Sequence, residues 1–92
     1  MAPLSEIENY LQQLNQVNSL TSDVLLSYLQ NSNVKLFTMA IAVLLDRPYE
    51  AVEARLNKGD KKVMARLLEA AGFSKSVIGV LLIAYDRLIR GH

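Results

Sequence analysis

The stretch Val34-Lys35-Leu36-Phe37-Thr38-Met39-Ala40-Ile41-Ala42-Val43-Leu44-Leu45 constrains this chain more than any other. On a helical wheel it leaves only Lys35 and Thr38, with Ala42 between them, on a narrow face that is not bulky and apolar. A helix apolar around nearly its whole circumference holds only if other elements cover it on several sides. No stretch of the chain alternates with period two for long enough to supply a strand, so the covering elements must also be helices. The chain reads as all-α, about six short helices in one domain over residues 1–92, with Val34 to Asp46 at the centre.

Turn and cap residues divide the rest. The first helix starts near Pro3 to Ser5, where Ser5 and Glu8 have capping-box spacing, and Leu4, Ile7, Tyr10, Leu11, Leu14 and Val17 form one stripe. A loop over residues 18–22 ends in a cap and leads to a second helix with Val24, Leu25, Tyr28 and Leu29 inward. Asn31-Ser32-Asn33 stops that helix and caps the central one. Pro48 suits the first turn of a fourth, mostly exposed helix with a narrow stripe of Tyr49, Val52 and Leu56, and Gly59 follows as its stop. Asp60 caps a fifth helix, whose face is Val63, Met64, Leu67, Leu68 and Ala71, and Gly72 ends it as a left-handed residue. Ser74 caps the sixth, Lys75 to about Arg90.

In the sixth helix, Val77, Ile78, Val80, Leu81, Leu82, Ala84, Tyr85, Leu88 and Ile89 spread over roughly 200° of the wheel, with Ile83 outside that arc. Two readings compete here: a second core helix stacked on the central one, or a helix with Val80, Leu82 and Ile83 at the edge of an apolar patch that binds another chain. A shift of 40 residues lays the second and third helices over the fifth and sixth, with Lys35 over Lys75 and Asp46-Arg47 over Asp86-Arg87. That is the period of helix-pair repeats, so two arrangements compete: a short HEAT-like helix-pair array and a compact helical bundle.

The run from Leu25 to Ala42, then Leu44-Leu45-Asp46-Arg47-Pro48, then Leu67-Leu68-Glu69-Ala70-Ala71-Gly72-Phe73 resembles a family of bacterial domains of unknown function with HEAT-like helical repeats. The resemblance covers about residues 24–89. It implies a scaffold or interaction role and supplies no active-site residues.

Size and composition close other routes. A chain of 10.3 kDa exposes roughly 5,400 Å² folded against roughly 15,000 Å² unfolded, enough for one modest core. With no cysteine there is no disulfide, thiolate metal site or cysteine nucleophile. The N-terminal residues lack a basic leader and an apolar core, which points to a cytoplasmic protein. The longest apolar runs, Met39 to Leu45 and Val77 to Tyr85, are about half of the ~20 residues that span a bilayer, so no membrane role is expected.

Catalytic constellations are equally scarce. The one histidine is His92, the last residue. Glu6 and Glu8 point to different helix faces, and Glu50 and Glu53 lie on an exposed helix without partner ligands, so they read as solvated charge rather than a metal or acid/base pair. The four glycines are dispersed and build no phosphate loop. Charge, however, is uneven: residues 1–46 carry one basic and four acidic side chains, net −3, and residues 47–92 carry nine basic and five acidic, net +4. Arg55, Lys58, Lys61, Lys62 and Arg66 gather around the turn between the fourth and fifth helices.

Leu67 to Leu81 superficially suits a helix-turn-helix, but the sixth helix would offer a major groove Lys75, Ser76, Gly79, Ile83 and Asp86 and then apolar surface, which reads few base edges. The expectation is a non-enzymatic module without cofactor or metal. It binds a protein partner, a second copy of itself included, through Val80, Leu82 and Ile83 and the basic residues 55, 58, 61, 62 and 66. The alternative is a nucleic-acid-binding regulator using the same basic cluster.

Overall fold

The computed structural model describes residues 3–58 and 61–90 and contains six helices: α1 (Leu4–Gln16), α2 (Ser22–Gln30), α3 (Val34–Leu45), α4 (Tyr49–Lys58), α5 (Lys61–Ala70) and α6 (Lys75–Arg90). No strand occurs among the described residues. The predicted stop at Gly59, the cap at Asp60 and the terminal His92 lie outside them.

The helix ends follow a common chemistry. Asn18, Ser32, Asp46 and Gly72 have positive φ of 57°, 59°, 54° and 101°. After each, a backbone N–H reaches back to a carbonyl five residues earlier: Ser19 to Leu14, Asn33 to Tyr28, Arg47 to Ala42 and Phe73 to Leu68. These bonds satisfy carbonyls that a helix end otherwise leaves open, and they turn the chain sharply enough to start the next helix within a few residues. Three of the four left-handed stops are not glycine. Asp46 is thus the stop of α3 rather than its last helical residue.

The N-terminal caps divide. The Asn33 side chain accepts the Leu36 N–H at 3.3 Å, and the Ser74 hydroxyl accepts the Val77 N–H at 3.4 Å. The capping box expected of Ser5 and Glu8 does not form, because α1 begins at Leu4 with Pro3 as its cap and Ser5 already inside the first turn. The Pro3 carbonyl instead accepts from Glu6 and Ile7.

Helix α3 is central, packing against α1, α2, α4 and α5. Phe37, Thr38, Met39, Ala40, Ile41 and Ala42 are consecutive and all buried, so its burial is governed by position along the axis, not by wheel angle. Thr38 and Ala42 are covered as fully as Phe37, while Leu36 and Leu44, near the two ends, are only half-buried. No buried side-chain nitrogen or oxygen lacks a hydrogen-bond partner among the described residues. Helix α1 packs on α3 alone, so a narrow stripe of Ile7, Leu11 and Leu14 suffices. Leu4, Tyr10 and Val17, expected in that stripe, fall on its flank and at its ends and stay exposed.

The pairing of the remaining helices decides between the two arrangements. A helix-pair array stacks equivalent helices, α2 on α5 and α3 on α6, each repeat touching its neighbours. Here α2 packs on α3 and α6, and α5 packs on α3 and α6, which closes a ring of four with α1 and α4 added outside α3. The result is the compact bundle, with a radius of gyration of 12.2 Å and extents of 29 × 27 × 23 Å. The stacking expected of α6 directly on α3 is not formed at the backbone level. The two meet through side chains, the Phe37 and Tyr85 rings lying 5.8 Å apart between centroids.

Candidate functional site

Helix α6 packs on α2 and α5 and meets α3 through Tyr85, which leaves one side of it facing solvent. Ile78 and Leu81 are its buried residues, and Val77, Leu82, Tyr85 and Leu88 pack partly against the core. On the outward side Val80 and Ile83 are 51% and 58% exposed, values that place two β-branched apolar side chains in water. Both lie beside α2, where an open groove of about 520 Å³ is lined by Leu26, Leu29, Gln30 and Ser32 from α2 and by Val80, Ile83, Ala84, Arg87 and Leu88 from α6. A second depression continues it past Val80 and Leu26 to Asp23 and Val77.

This places Val80 and Ile83 together and sets Leu82 apart. Leu82 is about 160° round the helix from Val80, half-buried against the core. An apolar arc of 200° hid that distinction, since sequence shows how much of a helix is greasy and not which neighbour covers it. Leu26 was missed for the complementary reason. It joins a groove only once α6 is laid beside α2.

The basic residues also separate. Arg55, Lys58, Lys61, Lys62 and Arg66 are all exposed, on the C-terminal half of α4 and the first two turns of α5. Arg55 and Lys58 flank a shallow apolar patch with Ala54 and Val63. Lys61 turns the other way, toward α6, with its Nζ 3.7 Å from the Asp86 carboxylate. In a pair this solvated the attraction is screened, worth roughly 0–1 kcal/mol, so Lys61 is oriented rather than neutralised.

A third concave region lies between α1, the end of α3 and the start of α4, lined by Glu8, Gln12, Met39, Asp46, Arg47 and Tyr49 among others. At its edge the Tyr49 hydroxyl donates to the Glu53 carboxylate at 2.9 Å. Burial, then this bond and the charges of Glu53 and Glu50, hold the phenol proton, pushing its pKa from 10.0 up to about 12. Glu53 is thus engaged by the Tyr49 hydroxyl one turn earlier on α4, while Glu50 acts on that phenol through its charge alone.

Burial also raises the Tyr85 phenol, and it raises that of Tyr28 with a smaller push from Tyr10. Among the described residues, no group of three or more His, Cys, Asp or Glu is placed to hold a metal ion, and no helix is long and apolar enough to cross a membrane.

No curated protein and no solved structure matches the chain. The family described as "uncharacterised protein conserved in bacteria" (DUF2336) matches residues 2–92, reaching beyond the resemblance seen over 24–89 to include α1 and the whole of α6, and the chain belongs to that family.

Proposed function

We propose that this chain is a non-enzymatic interaction module that binds a protein partner through the α2/α6 groove, with the basic surface of α4 and α5 accelerating the encounter. One observation carries the reading: Val80 and Ile83 stand exposed beside half-buried Leu26 in a groove open along two parallel helices. Contiguous apolar surface of this kind in a small domain marks an interaction site more often than it marks solvent-facing decoration. The groove offers a protein side-chain-sized depressions and few polar groups that would orient a small substrate. The basic side chains, exposed and mostly remote from the groove, act on association rate more than on affinity.

Ile83→Glu tests it. The variant should keep its helical circular dichroism and melting temperature while losing partner capture or self-association, and unfolding would instead make Ile83 a core residue. Lys58→Glu with Lys62→Glu should slow association several-fold at low salt, and insensitivity of the wild-type rate to salt would remove the basic surface from the reading.

A nucleic-acid-binding role is the second reading, supported by the exposure of Arg55, Lys58, Lys62 and Arg66 together. Its mark is a steep linear fall of log affinity with log salt concentration, about 0.9 per phosphate contacted on duplex DNA. The outward face of α6, with Val80, Ile83 and Ile89 exposed, favours protein over base edges.

A further inference from the structure

We propose that the α4/α5 face is a second docking site, which takes an acidic segment of a partner protein with one apolar side chain set among its carboxylates. The inference extends the protein-binding reading to surface away from the α2/α6 groove, and it is testable apart from that groove. Arg55 and Lys58 flank a shallow patch of about 290 Å³ whose apolar lining is Ala54 of α4 and Val63 of α5. Ala54 is exposed, and Val63 is half-buried against the core. Arg66 follows Val63 by one helical turn, and Lys62 stands one turn before Arg66 in the same row, both exposed. Cations from both helices therefore border one small apolar seat.

The carboxylates of the two helices are kept to the margin of this face. Glu50 lies a turn before Ala54 but lines the concave region against α1. Glu53 accepts the Tyr49 hydroxyl and lies about 160° round α4 from Arg55. Glu69 lies about 120° round α5 from Val63. Asp60 falls outside the described residues, and with it counted, residues 54–66 still carry five cations against one carboxylate.

Charge complementarity selects an acidic occupant, and the seat selects a protein. Exposed ion pairs are individually weak, so charge alone speeds the encounter more than it holds the complex. An apolar side chain placed over Ala54 and Val63 adds buried area and excludes water from the pairs around it, which strengthens them. A nucleic-acid strand fits less well. The face has no aromatic ring on which a base could stack, and Arg55, Lys58, Lys62 and Arg66 are fewer than the ~6–10 phosphate contacts of strong duplex binding. A lipid surface would need larger apolar anchors than Ala54 and Val63.

Fluorescence anisotropy of the full chain with a short labelled peptide of Glu residues around one central Leu tests the site. Binding should saturate with a dissociation constant below about 1 mM at low salt. Replacing the central Leu of the peptide by Ser should weaken binding about tenfold, since the buried apolar contact is lost. Ala54→Glu, which puts a charge into the seat from an exposed helical position, and Arg66→Glu should each weaken it about tenfold with the helical spectrum intact. Ile83→Glu should bind the peptide as the wild type does.

Equal binding of the Leu and Ser peptides overturns the apolar seat, and equal binding of a Lys-for-Glu peptide overturns the charge complementarity. A duplex DNA of similar length bound more tightly than the peptide overturns the choice of a protein partner. No binding of the Glu peptide at millimolar concentration overturns the site while leaving the groove reading intact, because Ile83→Glu tests that reading through partner capture. Loss of peptide binding in Ile83→Glu with the helical spectrum kept overturns the separateness of the two sites.

Discussion

Replacing Ile41 by Ala probes the claim that α3 is covered on every side. Ile41 is fully buried midway along the helix, among side chains from the helices around it. The substitution removes three carbons, worth roughly 2.4 kcal/mol of transfer free energy at about 0.8 kcal/mol each. Since α3 is held by four helices, the site collapses incompletely, and a residual void of ~50 Å³ adds about 1.2 kcal/mol. The total, about 3–4 kcal/mol, is a large part of the roughly 5–14 kcal/mol expected for a domain of this size.

Urea unfolding followed by circular dichroism, the chain having no tryptophan, should show the midpoint falling by about 2–3 M with unchanged slope. The melting temperature should fall by roughly 12–25 °C. Leu44→Ala provides the contrast: by wheel angle it is as central as Ile41, but it is half-buried near the end of α3 and should cost only about 1–2 kcal/mol. Equal losses at the two positions, or a loss below about 1 kcal/mol at Ile41, would refute burial by axial position.

Three further outcomes follow from local geometry. Gly79 lies inside α6 with nothing within 4 Å of where a Cβ would stand, so Gly79→Ala should stabilise by about 0.5–1 kcal/mol, while Gly72→Ala at φ 101° should destabilise by about 1 kcal/mol; thermal melts that move the same way for both would refute the backbone account. Asn33→Ala should cost about 1 kcal/mol because it removes the α3 cap, whereas Ser5→Ala should change stability by less than about 0.5 kcal/mol, both read from urea midpoints. Tyr49 has a folded pKa above its unfolded value, so its stabilisation is complete below pH 10 and is lost as pH rises from 10 towards 12. In an ultraviolet titration Glu53→Ala, which removes both the acceptor and the charge, should lower the Tyr49 midpoint part of the way towards 10, burial being the larger cause, and an unmoved midpoint would show that Glu53 does not hold the proton.

The candidate surface was half legible from composition and periodicity. Ile83 stood outside the apolar arc of α6, and the basic residues 55–66 clustered by number, so both were nameable without coordinates. Which apolar residues line a groove was not, because that depends on which helices flank α6. Once α2 takes one side and α5 the other, Val80 and Ile83 face outward, Leu82 turns half-buried against the core and Leu26 becomes part of the site. Lys61 separates from its cluster for the same reason, drawn to Asp86 on the neighbouring helix.

Six helices, the centrality of α3, the Asn33 and Ser74 caps and the Gly72 stop were all written in residues within a few positions of one another. Such features depend on interactions one or two turns long, and a local sequence carries them completely. The order of packing was not so written. The 40-residue correspondence made α2 equivalent to α5 and α3 to α6, and both helix-pair stacking and a closed ring are compatible with it. Burying six consecutive residues of α3 requires neighbours on several sides at once, which α1, α2, α4 and α5 supply together, and α6 closes the ring against α2 and α5. That choice depends on the fit of whole helix faces, which residues far apart in the chain settle only together.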